Sequence, residues 1–597
     1  MEKTHFNRSY HILAKKFLQY FFPVLITTIA LSLNEFVDSI MVANLLDTHA
    51  MAVVNLGFPI MLLIAAVYTL FGIGGSTVYA KALGERSQEK AGKALFLSLF
   101  AAGAVGFIVM ALGLLFPNLI IPILCQEPTL TEEFEKYFRV LVLSAPFLTL
   151  TLTFTNFLPP SGAPQLATTI TIVANGVNLV MDYVYIRYFN MGVEGTAWAT
   201  VTGYAVGLIF LPFMLKRSDA SIRFNLAKTA DLPVLTESIG TGGATAASQL
   251  GFTVKFAACN ALATLYGGAT GMVAFSFCIQ ALSIISVIYG GIIGSAMPLL
   301  GVLHGQRDFS GIKYVLKQAL KASVILVSVF VLWFELAPEE AAKIYNITES
   351  AELALASYGL RVFALCIIIR GLCIIFMYYL QVLGEKRYAM AISLYDGIIG
   401  LIPLAYIMCE FMGLDGLWWA YPVNSAILLV GILLWNRFVM NKKYDGILLT
   451  QRENLALNTQ DFTMTSDSEN ISKVTKEVAR VCESNGIIQK NANLVALMLE
   501  EMATYSKRHH LITENCDVLI HTYEDRIEID FRTLGDSCNP LNDTDADDLY
   551  NVTYIRKIAA KIEYDYIMGM NSTHIVLIRK KESSKEKEER KNFTKRY

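Results

Sequence analysis

The sequence is poor in charge. Asp, Glu, Lys and Arg make up only 17% of its 597 residues, against about 25% in a soluble domain, while 54% are hydrophobic. The shortage is local: residues 1–440 consist of long apolar runs, and residues 441–597 are densely charged. A formal net charge of −2 lacks the basic excess of a nucleic-acid binder, and no nucleic-acid partner is expected. The nine cysteines show no CxxC spacing, which removes the signatures of a zinc site and of a disulfide framework. No small-residue cleavage site follows the apolar run after Lys15 and Lys16, so that run reads as a first span and not a removed signal peptide. No channel filter motif is visible.

What is present is a series of spans. Crossing a bilayer takes roughly 20 apolar residues, and such runs centre near residues 30, 64, 106, 147, 178, 205, 252, 285, 327, 368, 400 and 427. The reading is an all-α polytopic membrane protein of twelve transmembrane helices. Basic residues crowd the N-terminus (Arg8, Lys15 and Lys16) and every second loop (Lys81, Arg86, Lys90 and Lys93; Lys216, Arg217, Arg223 and Lys228; Arg307, Lys313, Lys317 and Lys321; Lys386 and Arg387). The alternate loops are acidic, with Asp47, then Glu127, Glu132, Glu133 and Glu135, then Glu339, Glu340 and Glu349. By the positive-inside rule both ends face the cytoplasm.

The two halves repeat. Met191-Gly192-Val193-Glu194-Gly195 is answered 221 residues later by Met412-Gly413-Leu414-Asp415-Gly416, and Gly84-Glu85-Arg86 by Gly305-Gln306-Arg307 at the same offset. Six spans separate the copies, so the repeats run parallel. This predicts two pseudo-symmetric six-helix lobes, residues 1–217 and 218–440, facing a central cavity.

A charged side chain at the bilayer centre costs at least ~2.5–3.5 kcal/mol, so each marks a functional candidate. Asp38 falls in the first span and Asp182 in the fifth, with Asn178 one helical turn before Asp182. Asp182 and Thr200 flank the turn near Met191 at equal separation, and Asp38 is as far from Asp47. At ~1.5 Å per residue all three lie about 13 Å below the outer surface. Two carboxylates, an amide and a hydroxyl at one depth suit Na⁺ or a proton. Glu35, one turn before Asp38, joins them or faces the cavity.

Asn34-Glu35-Phe36-Val37-Asp38, Gly162-Ala163-Pro164, Asn178-Leu179-Val180-Met181-Asp182 and Gly192-Val193-Glu194-Gly195-Thr196-Ala197 resemble the multidrug and toxic compound extrusion (MATE) family. The likeness is to its prokaryotic branch with a cation site in the N-terminal lobe, and covers roughly residues 10–440. It implies a multi-pass transporter of the cell (inner) membrane, not an enzyme, exporting drugs or metabolites in exchange for Na⁺ or H⁺. The family's cation ligands fall on Asp38, Asn178, Asp182 and Thr200. The second lobe departs from the pattern. It carries Lys255, Arg370 and Asp396 in its spans, while Asp182 corresponds to Pro403. These three and Glu35 are candidate cavity residues. They form either an ion pair that locks the lobe or a wall that favours anionic or zwitterionic cargo.

A linker over 441–460 leads to a small α+β domain, a two-layer sandwich over 461–580, and a charged tail over 581–597 reads as disordered. Strands are expected at 461–465, 518–523, 527–532 and 573–579, and helices at 471–482, 493–508 and 550–562. Leu499-Glu500-Glu501-Met502-Ala503-Thr504, Gly535-Asp536-Ser537-Cys538-Asn539-Pro540-Leu541 and Ile555-Arg556-Lys557-Ile558-Ala559 resemble the histidine-kinase-like ATPase fold in its anti-sigma-factor version. The resemblance aligns a degenerate nucleotide site with Glu501, Tyr505, Thr533, Gly535 and Asn551. Tyr505 stands where the family has a Mg²⁺-ligating Asn, Thr533 where it has an adenine-reading Asp, and Leu549 and Asn551 where it has phosphate-cradling glycines. ATP binding is therefore not expected, no other cofactor is implied, and a cytoplasmic protein is the candidate partner of this domain. Membrane lipid and a small-molecule cargo are the remaining partners. The alternatives are a lipid-linked precursor flippase of the same superfamily, which would need a larger, more cationic cavity in both lobes, and a membrane-tethered anti-sigma-like regulatory kinase, which would need intact nucleotide motifs.

Overall fold

The computed structural model describes residues 8–46, 48–125, 127–218, 222–345, 347, 349–446, 448–451, 458–465, 467–484, 487–508, 515–539, 541, 556–557 and 559–578. Contacts divide the chain into two compact units: Phe17–Lys442 with Gly446–Thr450, and Met1–Lys16 with Lys443–Asp445 and Gln451–Tyr597.

The larger unit is helical throughout, as a lipid solvent requires of a chain that must satisfy its backbone internally. In order come α1 (His11–Leu45), α2 (Thr48–Leu56), α3 (Phe58–Tyr68), α4 (Gly74–Gly84), α5 (Gln88–Leu115), α6 (Pro117–Leu124), α7 (Pro128–Phe157), α8 (Pro164–Arg187) and α9 (Val193–Lys216). They are followed by α10 (Leu232–Gly305), α11 (Phe309–Leu336), α12 (Pro338–Ile344), α13 (Ser350–Val382), α14 (Lys386–Leu394), α15 (Leu401–Met412) and α16 (Leu414–Phe438). A π-turn at Thr69–Ile73 joins α3 to α4, and another at Tyr395–Ile399 joins α14 to α15. Among the described residues eleven helical stretches are long and apolar enough to cross a membrane. The runs centred near 252 and 285 share one of them, α10, whose helical geometry breaks at Gly268 (φ 60°, ψ −153°). Phe411, 86% exposed, typifies the apolar outer surface that faces lipid.

The 221-residue offset recurs in the element boundaries. α5 and α11 begin and end 221 residues apart, α6 and α12 begin at that spacing, and so do α9 and α16. Backbone specials repeat with it. Gly192 (φ 58°) and Gly413 (φ 62°) precede α9 and α16, and Arg86 (φ 59°) and Arg307 (φ 57°) follow α4 and α10. Gly84 and Gly305, equivalent in the repeat, meet each other: a Cβ on Gly84 would stand 2.9 Å from Gly305 Cα and inside the Val302 carbonyl. Gly74 and Gly242 make a second contact of this kind between α4 and α10. Backbones approach this closely only where both helices lack side chains.

Two short strands, β1 (Tyr444–Asp445) and β2 (Thr450–Gln451), come before the smaller unit's main elements: β3 (Asn458–Thr465), α17 (Ser468–Ser484), α18 (Gln489–Arg508), β4 (Asn515–Thr522), β5 (Arg526–Leu534), β6 (Lys561–Ile567) and β7 (Met570–Ile578). The last five strands form an antiparallel sheet in the order β3-β4-β5-β7-β6. Phe462, Val518, Ile520, Ile529, Phe531 and Ile575 on one sheet face pack with Val474, Val478, Val495 and Leu499 of the two helices. The other face carries Asp517, Asp530 and Arg532, all buried. The helix expected over 550–562 is corrected at its end, where Lys561 and Ile562 open strand β6. Arg556 and Lys557 are helical, and the rest of that segment to Ala559 lies largely outside the described residues. Asp517 accepts two hydrogen bonds from Arg8 on one oxygen (3.0 and 2.9 Å) and one from Thr463 on the other (3.1 Å). Residues just ahead of α1 are thus part of this unit.

Candidate functional site

The two halves of the helical unit enclose a cavity of about 500 Å³. Its first-half wall is neutral and polar, with Thr27, Thr28, Thr77, Thr155, Asn156 and Thr171 among its residues. Its second-half wall holds Ser283, Ser286, Tyr289, Tyr421 and three charges, Lys255, Arg370 and Asp396. Phe252 and Phe256, stacked at 6.4 Å, supply apolar surface.

Local backbone explains the charge cluster. Gly251 on α10 and Gly397 in the second π-turn face each other, a Cβ on Gly251 standing 3.2 Å from Gly397 Cα. The two segments therefore run close, and Lys255, one helical turn beyond Gly251, reaches the residue before Gly397. In the π-turn the Gly400 N–H donates to the Tyr395 carbonyl five residues back (2.9 Å). Such insertions reshape the hydrogen-bond ladder and recur at functional sites. Lys255 Nζ donates to Asp396 Oδ2 (3.0 Å) and to the Asp396 carbonyl (3.3 Å). Arg370, on α13, brings a guanidinium nitrogen to 3.6 Å from the same Oδ2. Three residues far apart in sequence thus form one cluster, and they both pair and line the cavity.

In the first half, Asn178 and Asp182 lie one turn apart on α8 and are 1% and 2% exposed, which is deep burial for an amide and a carboxylate. Among the described residues neither the side-chain nitrogen nor the side-chain oxygen of Asn178 has a hydrogen-bond partner. Gly203 of α9 packs on Asn178 and Gly195 on Tyr185, and Tyr185 bonds Thr202 (3.1 Å). That antiparallel register sets Thr200 level with Asp182. The Thr200 hydroxyl donates to the Thr196 carbonyl (3.1 Å), which leaves its lone pairs open. The side chains of Glu35 and Asp38 lie outside the described residues, although both positions fall within α1.

In the smaller unit, Tyr505 is buried on α18 with its hydroxyl 3.2 Å from Cys538 Sγ. Thr533 is buried on β5. Gly535 (φ 144°) accepts a bond from the Tyr566 hydroxyl (3.2 Å). Asn571 pins the following loop, accepting from the Cys538 N–H (3.0 Å) and donating to the Asp536 carbonyl (3.0 Å). Burial, and next the Glu500 charge, push the Glu501 carboxyl above its ordinary range. Asn551 and Leu549 lie outside the described residues. All nine cysteines are free.

The hydroxyl-rich wall and the tyrosines at 289 and 421 were not singled out from sequence. Their one signal was the number of Ser, Thr and Tyr residues inside apolar runs.

The MatE family model matches residues 23–184 and 244–407, two stretches that begin 221 residues apart and together cover more than half the chain. The multidrug export protein MepA of Staphylococcus aureus (strain MRSA252) is 24% identical over 428 residues, 70% of this chain and 92% of its own length. The MepA protein of Staphylococcus saprophyticus is 22% identical over 435 residues, 72% and 95% of the two chains. A MOP-superfamily transporter of Pyrococcus furiosus, described as having a binding pocket of reverse polarity, superposes with a TM-score of 0.66 at 21% identity. The superposition covers 71% of this chain and 95% of that one. An outward-facing MATE-family multidrug resistance transporter superposes with a TM-score of 0.65 at 22% identity. The chain belongs to the MatE family, whose members are multi-pass membrane transporters and not enzymes.

Proposed function

We propose that this protein is a secondary antiporter that exports small organic molecules by alternating access, in exchange for Na⁺ or H⁺. The observation that carries the reading is a pair of buried polar groups, Asn178 and Asp182, in the half of the molecule opposite the charged wall of a shared cavity. Asp182 and Asn178, with Thr200 level with them and Asp38 on α1, are the proposed cation ligands. Oxygen donors of this kind suit a hard monovalent ion, and a buried carboxylate equally suits a proton. The multidrug export activity named for the staphylococcal relatives supports the direction and the class of cargo.

The twelve spans of this reading come from dividing α10 at Gly268, whose repeat counterpart is Asp47, between α1 and α2. They form two six-helix lobes, over 1–217 and 218–440, with both termini cytoplasmic. The basic loops then place the Gly84–Gly305 contact on the inner side. The flippase alternative is not favoured, because the cavity's cations stand in one half alone among the described residues. The domain over 461–580 is proposed as a histidine-kinase-like fold that has lost its nucleotide site and serves to dock a cytoplasmic protein. The inward Tyr505, held against Cys538, supports that loss. The kinase alternative has no such support.

The test is efflux from everted vesicles under separately imposed Na⁺ and pH gradients. Asp38→Asn and Asp182→Asn are each expected to abolish gradient-driven export while leaving expression and insertion intact. Wild-type rates in both variants would sink the site assignment.

A further inference from the structure

We propose that the central cavity takes an organic carboxylate, whose carboxylate group docks on Arg370 beside the Lys255–Asp396 pair. The inference rests on the reading of the cavity as the cargo site and adds the chemical class of the cargo. The described lining holds two cations and one anion, Lys255, Arg370 and Asp396, and otherwise neutral residues. One positive charge is therefore in excess.

The geometry assigns that excess to Arg370. Lys255 is only 3% exposed and takes both the carboxylate and the backbone carbonyl of Asp396. Arg370 has only a 3.6 Å approach to the same oxygen, too long for a hydrogen bond. Its Nε is buried without a hydrogen-bond partner among the described residues. A guanidinium offers five N–H donors in a fixed fork that matches a carboxylate two-on-two. A half-buried cation so incompletely paired is costly to keep, and an incoming carboxylate would complete it. A cationic cargo would meet the reverse situation: Asp396 is already engaged, and Lys255 and Arg370 would both repel it. Across the cavity the Thr27, Thr28 and Asn156 side chains carry no charge that would reverse this preference. Phe252 and Phe256 give the body of the ligand an apolar surface.

The experiment uses the full-length protein in detergent and three probes that share one fluorophore: dansylglycine (carboxylate), dansylglycinamide (neutral) and dansylcadaverine (ammonium). Equilibrium binding is read from dansyl emission, so no ion gradient is needed. Dansylglycine is expected to bind roughly ten- to hundredfold tighter than the neutral amide, the range of one charge-assisted hydrogen-bonded contact. Arg370→Gln should erase that difference, and Arg370→Lys should retain part of it, which separates loss of charge from loss of fold. Tightest binding of dansylcadaverine, equal binding of all three, or no binding of dansylglycine to the wild type overturns the proposal. Gradient-driven export with a cationic preference would sink this inference and leave the transport reading standing. Carboxylate binding without any gradient-driven export would do the reverse.

Discussion

Replacing Gly84 by Val should hold the two halves of the transporter apart at the end where α4 meets α10. In the structure a Cβ at this position would lie 2.9 Å from Gly305 Cα and inside the Val302 carbonyl. Carbon atoms settle at about 3.5–4.0 Å, so this contact alone asks α4 and α10 to separate by roughly 0.6–1.1 Å; the closer Val302 carbonyl oxygen asks for more, and the valine methyls add to that. Overpacking of this kind costs about 1–3 kcal/mol. The whole cost falls on the state in which these ends are closed, because the clash vanishes once they part. A differential of that size shifts the closed-to-open ratio by roughly 5–150-fold. Spin labels at Glu89→Cys and Lys313→Cys, both exposed and on the helices that follow α4 and α10, report the separation as a distance distribution. Cys538, the one native cysteine that is not buried, is changed to Ser in the background. Gly84→Val should move the distribution to longer distances and slow export, with Gly84→Ala between it and wild type. Gly176→Ala, at a position where a new Cβ meets no described residue beyond its own helix turn within 4 Å, should change neither. An unaltered distribution and wild-type export in Gly84→Val would refute the view that this contact is a gate.

Arg8→Ala should destabilise the sheet unit by about 3–5 kcal/mol, the cost of stranding a buried charge, since Asp517 is 0% exposed; Arg8→Met with Asp517→Leu should recover most of it, read by hydrogen exchange of β4 in the full-length protein. Calorimetry of the full-length protein with Mg–ATP and Mg–ADP should show no binding below millimolar concentration, and micromolar affinity for either would overturn the degenerate-site reading. Gly192→Ala and Gly413→Ala should each cost about 1–3 kcal/mol of backbone strain and lower the thermal midpoint by similar amounts, because both residues hold the same left-handed φ at equivalent turns; a loss at one only would show that the repeat is not equivalent there.

The spans and the repeat were legible because each rests on a long-range pattern: apolar length for the spans, and for the repeat a constant offset that α5 and α11 keep from first residue to last. The charge cluster was half legible. Lys255, Arg370 and Asp396 stood out by their cost in lipid, but nothing in the sequence marks the π-turn at Tyr395–Ile399 or the Gly251–Gly397 approach that joins them. The segment Ile555, Ile558, Ala559, Ile562 has helical spacing, while Ile562, Tyr564, Tyr566 alternates as a strand. The two periods overlap at Lys561 and Ile562, and pairing of β6 with β7 decides for the strand. Arg8 was read as one more topogenic charge. Its partner Asp517 is 509 residues away, a separation at which sequence pattern carries no information about contact.

The repeat also bears on the two sets of residues proposed as sites. In the 221-residue register the second half's Lys255, Arg370 and Asp396 answer Asn34, Thr149 and Asn175, all polar and uncharged. The first half's Asp38, Asn178, Asp182 and Thr200 answer Cys259, Ile399, Pro403 and Tyr421. At no pair of equivalent positions in these two sets are both residues ionised at neutral pH. Duplicated helices with matching ends thus carry charge at different depths and on different faces in each copy. If both sets served one structural purpose, such as locking a lobe, equivalent positions would serve it equally well in both copies. Non-equivalent placement is what the proposed separate roles require: a carboxylate and neutral oxygens for a small cation in one half, and a cationic wall for cargo in the other. In the proposed reading the two sites are coupled by movement of one half against the other, across the glycine contacts between α4 and α10. Moving the acid from Asp182 to its repeat position, as Asp182→Asn with Pro403→Asp, should therefore fail to restore gradient-driven export. Restoration would show that the lobes are interchangeable and would remove the case for divided roles.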